Sequence, residues 1–253
     1  MPSSPELPTS PDLSAENLAL RQQLEELTAH SQTIQTLLVE VNRKLQLSSA
    51  SIKAAVSSLL TPDFFWDASA QHEFLQTIDD SVNQASELIS LVALAFQIET
   101  DSLHIHREPQ MLQEILAAVL DEITAKHSSD ALRLNYPDDG RLVLVDFEYL
   151  KIALKLLLEG ILPAEPRANP ILITALENPS GWLLRMDGID PQVLEQVIDV
   201  VRCVHEILTS IQRMQPDKVL MILLANQLFK LLGIQIELAD HKPAMQLVIP
   251  AVA

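Results

Sequence analysis

The chain of 253 residues is 48% hydrophobic and carries a formal net charge of −17. This hydrophobic content supports a buried core and excludes global disorder. Nucleic acids and anionic lipid surfaces are bound mainly through Lys and Arg, so the acidic balance argues against both as partners. We predict an acidic protein with no membrane insertion. If the negative charge selects a partner, that partner presents a basic surface.

Glycine and cysteine are both scarce. The 5 glycines never lie closer than seven positions apart, which excludes the clustered glycines of a phosphate-binding loop. The single cysteine, Cys203, permits no internal disulfide. Residues 1–11 lack the basic-then-apolar pattern of a signal peptide, and polar side chains interrupt the apolar residues 219–236. These features predict a cytoplasmic protein.

Composition and periodicity divide the chain into three regions. Residues 1–13 hold four prolines and three serines and are predicted to be a disordered tail. Residues 14–100 are predicted to form a coiled coil and a dimerisation helical hairpin. Residues 101–253 are predicted to form an α/β-sandwich domain, so the predicted fold class is α+β.

The coiled coil is predicted from a seam of positions spaced alternately by four and three residues. Ten of the twelve positions are apolar, and the seam continues without Gly or Pro for about forty residues. The positions are Leu20, Leu24, Leu27, Ser31, Ile34, Leu38, Val41, Leu45, Ser48, Ile52, Ala55 and Leu59. The length favours a parallel dimer over one helix packed on its own domain. A second apolar periodicity over residues 69–97 predicts a returning helix and, in a dimer, a four-helix bundle.

The rest of the chain predicts strands and helices in alternation. We expect strands at residues 102–107, 132–135, 141–146, 171–177, 182–186, 234–239 and 245–249. We expect a turn at residues 138–140 and helices at residues 109–126, 148–162, 191–214 and 218–232. This order predicts a mixed sheet with helices on one face.

Three segments share their order and character with one protein family. The helix end that begins Ser86-Glu87-Leu88-Ile89 precedes residues 142–158, where Asp146 follows a strand, and residues 225–250 close the chain. Together they resemble the second dimerisation helix, the strand and helix before the Asn motif, and the closing hairpin of bacterial sensor histidine kinases. The resemblance covers nearly all of residues 40–250 and implies a dimerisation hairpin followed by an ATP-binding fold.

The family's phosphoacceptor motif has a histidine, an acidic residue, an apolar residue, a basic residue and, two positions further on, a proline. The matching frame here places Ala50 at the histidine, Ser51 at the acid, Lys53 at the basic position and Ala55 at the proline. A methyl group is no nucleophile, and Ser51 is no base, so autophosphorylation at this place is excluded. The resemblance also implies that Ser49, Ser51 and Lys53 lie where partner proteins dock.

The nucleotide-binding motifs are altered as well. Gly160 aligns with the Asn that helps to hold Mg²⁺, and glycine has no side-chain oxygen for a hard cation. Asp187 and Gly188 are what remains of the motif whose Asp contacts adenine, and the flexible turn after them is lost. A role for Asp187 and Asp190 in capping a loop stays open beside adenine contact.

The segment that aligns with the family's glycine-rich lid is bulky. Residues 221–225, with Leu223 at the centre, would fill space that a triphosphate needs and would still suit a packed helix. These changes predict that the chain has no bound cofactor.

The histidines offer one alternative site. His72, beside Glu73, could be a displaced phosphoacceptor, although a solvated helix residue is the simpler interpretation. His104 and His106 share one face of a predicted strand, but no cysteine cluster completes a zinc site. No metal site is predicted.

The sequence therefore favours a non-catalytic, histidine-kinase-like homodimer that acts as a scaffold or regulator in two-component signalling. Its predicted partner is a response regulator or another histidine kinase. The alternative is a divergent active histidine kinase or a His phosphotransferase, which would require ATP and Mg²⁺. A third hypothesis is a small-molecule sensor in which the emptied nucleotide pocket binds another ligand.

Overall fold

The computed structural model describes residues 10–61, 67–127, 131–136, 142–163, 170–178, 181–202, 214–238 and 244–250. Its helices are α1 (Ser10–Leu59), α2 (Ala68–Glu99), α3 (Leu112–Lys126), α4 (Phe147–Ile161), α5 (Pro191–Arg202) and α6 (Pro216–Leu232). Its strands are β1 (Glu108–Met111), β2 (Leu132–Asn135), β3 (Leu142–Val145), β4 (Ile171–Asn178), β5 (Gly181–Asp187), β6 (Gln235–Leu238) and β7 (Met245–Pro250). The predicted turn at 138–140, residues 203–213 of a predicted helix, and Cys203 lie outside the described residues.

The two long helices α1 and α2 pack together as a hairpin. The carboxylate of Asp67 accepts a hydrogen bond from Ala70 N at 2.8 Å and so caps the start of α2. Between the helices, the buried Ser48 donates from Oγ to Gln84 Oε1 at 3.0 Å. The other buried side chains of the pair are mostly apolar: Leu37, Val41, Ala55, Leu88, Leu91 and Ala95. The predicted helical hairpin is confirmed.

Helix α1 extends well beyond α2. Because Ser48 lies opposite Gln84 and the helices run in opposite directions, the last residue of α2, Glu99, lies opposite residue 33. Residues 10–32 of α1 therefore have no counterpart in α2. Helix α1 begins at Ser10, inside the predicted disordered tail, and residues 1–9 lie outside the described residues.

The second part of the chain is a mixed sheet covered by helices on one face. The five-stranded sheet has the order β2-β4-β5-β7-β6, in which β2 and β4 are parallel and the other pairs antiparallel. Strands β1 and β3 form a separate antiparallel pair. In β4, Ile171, Ile173 and Ala175 are buried, whereas Leu172 and Leu176 on the opposite face are exposed. This alternation is that of a sheet with one covered and one open face, and it confirms the predicted α+β class.

Helices α4 and α6 form the centre of the helical layer and pack against each other. Asp146 caps α4 by accepting a hydrogen bond from Tyr149 N at 3.1 Å. Pro216 occupies the first turn of α6, where its missing N–H has no cost. Gly233 ends α6 with φ at 78°, a left-handed conformation that favours glycine.

The connection between the hairpin and the α/β domain differs from the prediction. Residues 102–107 are not a strand, because the N–H of His106 donates to the Asp146 carboxylate at 2.8 Å instead of to a neighbouring strand. The pairing begins at Glu108, and α3 begins at Leu112 rather than at Pro109. Pro109 is tolerated in β1 because β1 pairs with β3 on one side only, and a proline without an N–H fits the unpaired side.

Candidate functional site

The predicted phosphoacceptor region lies on the solvent-exposed side of α1. Ser49, Ala50 and Lys53 are exposed, and Ser51 is half-buried. Ala50 therefore lies in the accessible position that a phosphoacceptor needs, but its methyl group has no chemistry to offer. We call Ser49, Ala50, Ser51 and Lys53 the outer patch of the hairpin.

His72, the alternative phosphoacceptor, is exposed in the second turn of α2. In the register set by Ser48 and Gln84, His72 lies opposite residue 60 of the chain. That is ten residues beyond Ala50, or about 15 Å along the helix axis. The hairpin therefore does not bring His72 to the position that Ala50 occupies.

Gly160, at the predicted magnesium position, lies in a tight contact between α4 and α6. A Cβ atom at Gly160 would lie 2.7 Å from Ile222 Cγ1 and 3.3 Å from Ile222 Cδ1. The first distance is shorter than carbon atoms tolerate, and Ile222 is fully buried, so its side chain has no free space into which to turn. The α4–α6 contact thus has room for glycine and not for asparagine.

Leu223, named from the sequence as the bulky lid residue, is also buried in α6. The residue that fills the space beside Gly160, however, is Ile222, one position earlier. The bulky segment 221–225 predicted from the sequence contains Ile222, but the rotation of α6 that decides which of these residues faces Gly160 depends on packing. Lys218, one turn before Ile222, donates a hydrogen bond to the Leu162 carbonyl and joins the start of α6 to the end of α4.

The carboxylate of Asp187, at the end of β5, is engaged by a neighbour on the same strand. Arg185 donates from Nη2 to Asp187 Oδ1 at 2.9 Å, and its Nε lies 2.9 Å from Oδ2. Such a two-point contact is the strong geometry for a guanidinium and a carboxylate. Asp187 lies at the predicted position, but its oxygens accept hydrogen bonds from Arg185.

Gly188 and Asp190 have local roles in the chain path. Gly188 has φ at 86°, and a Cβ there would lie 2.9 Å from the carbonyl oxygen of Pro170. Asp190 accepts a hydrogen bond from Gln192 N at 2.8 Å at the start of α5. The capping alternative considered for Asp190 therefore has a structural basis.

A groove of about 700 Å³ lies between α2 and α4. Its apolar lining comes from both sides and includes Leu91 and Leu94 of α2, Ile152 and Leu156 of α4, and Met221 of α6. Its volume is within the range of small-molecule sites. Neither this groove nor a smaller one of about 240 Å³ beside it is lined by Gly160, Asp187, Gly188 or Leu223.

Ion pairs at the edge of these grooves were not predicted from the sequence. Lys126 Nζ, in the last turn of α3, lies 2.5 Å from Glu87 Oε1 of α2 and 3.4 Å from Glu159 Oε1 of α4. Partial burial alone would lower the pKa of Lys126, but the hydrogen bond that Lys126 donates to Glu87 and the charge of Glu159 raise it above its ordinary value. No local sequence motif predicts these pairs, because Glu87 and Glu159 lie 39 and 33 residues away from Lys126 in the chain.

The described residues contain neither a metal-binding cluster nor a membrane-spanning helix. Within those ranges, no group of three or more His, Cys, Asp or Glu side chains is arranged to hold a metal ion. Among the same residues, no helix has the length and apolar content needed to span a bilayer.

Solved structures share this architecture. No protein-family model and no curated protein matches the chain. The chain is similar to the histidine kinase AdeS of Acinetobacter baumannii, with 13% identity, a TM-score of 0.56, and coverage of 83% of this chain and 98% of that one. It is also similar to full-length ShkA, solved in complex with AMPPNP, with 12% identity, a TM-score of 0.50, and coverage of 87% and 46% respectively. The chain therefore has the fold of a histidine kinase core, as its sequence predicted.

The residues of this chain do not fit the Mg²⁺-ATP that the resemblance implies for that fold. Gly160 supplies no oxygen ligand, and Ile222 packs where a side chain at this position would extend. The Asp187 carboxylate is engaged by Arg185. We therefore assign no catalytic step to this site.

Proposed function

We propose that the chain is a non-catalytic, dimeric scaffold or regulator in cytoplasmic two-component signalling. The observation that carries this proposal is the packing of Ile222 against Gly160, because it leaves the α4–α6 contact without space or ligands for a magnesium-bound nucleotide. The histidine kinase core fold gives the class of pathway, since that is the fold of AdeS. The loss of chemistry at two separate positions supports a role in binding.

The hairpin has an accessible surface for such a role. The outer patch keeps Lys53 and the hydroxyl of Ser49 exposed around the methyl group of Ala50. Exposed polar groups around a small apolar centre suit contact with another protein. The proposed partner is a response regulator or another histidine kinase, and the basic Lys53 would select an acidic group on it.

A second surface supports a homodimer. Seven apolar residues of α2 follow a three- and four-residue spacing: Leu75, Ile78, Val82, Ala85, Ile89, Val92 and Phe96. We call these seven residues the bundle face. Within one chain Leu75, Val82, Ile89 and Phe96 remain 44–68% exposed, as they would in half of a four-helix bundle.

Binding of a fluorescent ATP analogue with Mg²⁺ tests the non-catalytic part of the proposal. We expect no saturable binding and no Mg²⁺-dependent rise in melting temperature, whereas an active histidine kinase core measured beside it shows both. Micromolar binding would overturn the proposal and favour the alternative of a divergent kinase or phosphotransferase. In that case phosphorylation that is lost in His72→Ala would identify His72 as the acceptor.

Sedimentation equilibrium tests the dimer. We expect the native chain to sediment as a dimer at micromolar concentration, and Val82→Asp with Ile89→Asp to sediment as a folded monomer. Both side chains are exposed in the single chain, so the charges interfere with association rather than with the hairpin itself. Leu142→Asp, at an exposed leucine of β3, is the matched control and should remain dimeric. A native chain that sediments as a monomer would refute the dimer.

A further inference from the structure

Two ion-pair sites join the hairpin to the α/β domain. In the first, Lys44 Nζ of α1 lies 2.7 Å from Asp217 Oδ1 of α6. These side chains are 19% and 21% exposed, so water screens them less than it screens a surface pair. In the second, Lys126 of α3 forms an ion pair with Glu87 of α2 in the hairpin.

The helix ends strengthen both sites. Asp217 lies in the first turn of α6, where the partial positive charge of the helix favours an acid. Lys126 lies in the last turn of α3, where the opposite partial charge favours a base. Glu159 of α4, only 11% exposed, lies 3.4 Å from Lys126 and holds it at the domain side. Each of the two domain-side groups, Asp217 and Lys126, therefore carries a charge that the end of its own helix favours.

The two sites are neighbours. Glu87, Lys126, Glu159 and Asp217 all line the small groove of about 240 Å³, together with Met221 at its apolar side. The larger groove of about 700 Å³ opens next to it, so the hairpin and the domain are not in continuous contact here. Apolar side chains of the hairpin, such as Leu88 and Leu91, belong to the same buried core as those of α6. The ion pairs therefore add a charged component to an apolar contact between the two parts.

We propose that the pairs Lys44–Asp217 and Lys126–Glu87 form a latch that holds the α/β domain in one orientation against the hairpin. The latch opens when its charges are screened or replaced by those of a partner. The latch does not depend on whether the chain binds nucleotide.

Thiol labelling of a cysteine in the junction tests the latch. Leu91→Cys, placed in a Cys203→Ser background, reports opening because Leu91 lines the groove and is only 5% exposed. Leu157→Cys, fully buried in α4, reports global unfolding. We expect Lys44→Glu to raise the labelling rate at position 91 roughly tenfold, between the effects typical of surface and of buried pairs, with little change at position 157.

Two charge variants control the experiment. Arg43→Glu makes the same charge change one residue away, where Arg43 pairs with Glu40 of its own helix, and should leave both labelling rates unchanged. The swap of Lys44→Asp with Asp217→Lys should bring the rate at position 91 part of the way back to the native value, because it restores the pair but places a lysine at the positive end of α6. An equal rise at both reporter positions in Lys44→Glu, or an equal effect of Arg43→Glu, would overturn the latch.

Salt provides a test that needs no charge variant. The two reporter variants, with no charge change, are labelled at ionic strengths from 0.05 to 1 M, and the Debye length falls to about 3 Å at the upper end. Labelling at position 91 should become faster with salt, and labelling at position 157 should not. A labelling rate at position 91 that does not respond to salt would contradict a latch built on ion pairs.

Discussion

Ala50 and Gly160 mark two regions in which the same fold has lost its chemistry in different ways. Ala50 is exposed on α1, and the outer patch around it remains open to solvent. Gly160 is buried, and Ile222 of α6 packs directly on its Cα. A lost side chain on a surface leaves the neighbours unchanged, whereas one lost from a close-packed interior allows the neighbours to occupy its space. Restoration should therefore be simple at Ala50 and costly at Gly160.

The largest expected effect is at the α4–α6 contact. Gly160→Asn should lower the free energy of unfolding by about 1–3 kcal/mol through overpacking, and Ile222→Ala by about 2–5 kcal/mol through a cavity. The double variant should lose less stability than the two single variants together, and the difference, the coupling energy, should be about 0.5–3 kcal/mol. Urea denaturation of the four chains measures the cycle.

Gly233→Asn is the matched control for that cycle. Nothing lies within 4 Å of a Cβ at Gly233, and asparagine is the residue that best tolerates its left-handed conformation after glycine. Its effect should be well below that of Gly160→Asn. Simple additivity of Gly160→Asn and Ile222→Ala would mean that Ile222 does not occupy the space in question.

A smaller effect is expected at Arg185. Arg185→Ala frees the Asp187 carboxylate and should cost about 0.2–1 kcal/mol, because the pair is partly exposed. The freed carboxylate should still not bind the ATP analogue, since Ile222 remains in place. Denaturation and nucleotide binding are measured together, with Arg133→Ala at an exposed position of β2 as control. Nucleotide binding gained by this one change would show that Arg185, and not α6, closes the site.

The smallest effect is expected at Ala50. Ala50→His should change the free energy of unfolding by only about 0.6 kcal/mol, the difference in helix propensity between the two residues. The measurement is thermal or urea unfolding, with Ala54→His at another exposed α1 position for comparison. A loss as large as that of Gly160→Asn would contradict the comparison between an open and a filled region.

Much of the fold could be predicted from local pattern. The α2 periodicity placed the helix at residues 69–97 and the structure has it at Ala68–Glu99, and β2 was predicted at its observed bounds. The prediction failed at residues 102–107, where alternation suggested a strand. The backbone there bonds to Asp146, 40 residues away, and no local pattern contains that information.

The candidate site was predictable in part. Motif order proposed Ala50, Gly160 and Asp187 as the positions to inspect, because each lies in or at the end of a helix or strand that the local pattern predicts. The ion pair between Lys44 and Asp217 could not be predicted, since it joins residues 173 positions apart whose encounter depends on how the hairpin meets the domain. Ile222 was predicted only as one member of the bulky segment 221–225, because periodicity gives a buried face of α6 but not the residue that points at α4.

The hydrogen bond between Ser48 and Gln84 has a mechanical consequence. Sliding α1 along α2 by one heptad, about 10.5 Å, would bring the apolar Val41 or Ala55 opposite Gln84, so that Gln84 would lose its hydrogen bond from Ser48. Rotation of both helices about their common axis, in contrast, preserves the bond. The bond therefore opposes a shift of α1 by a whole heptad and does not oppose a rotation of the two helices together.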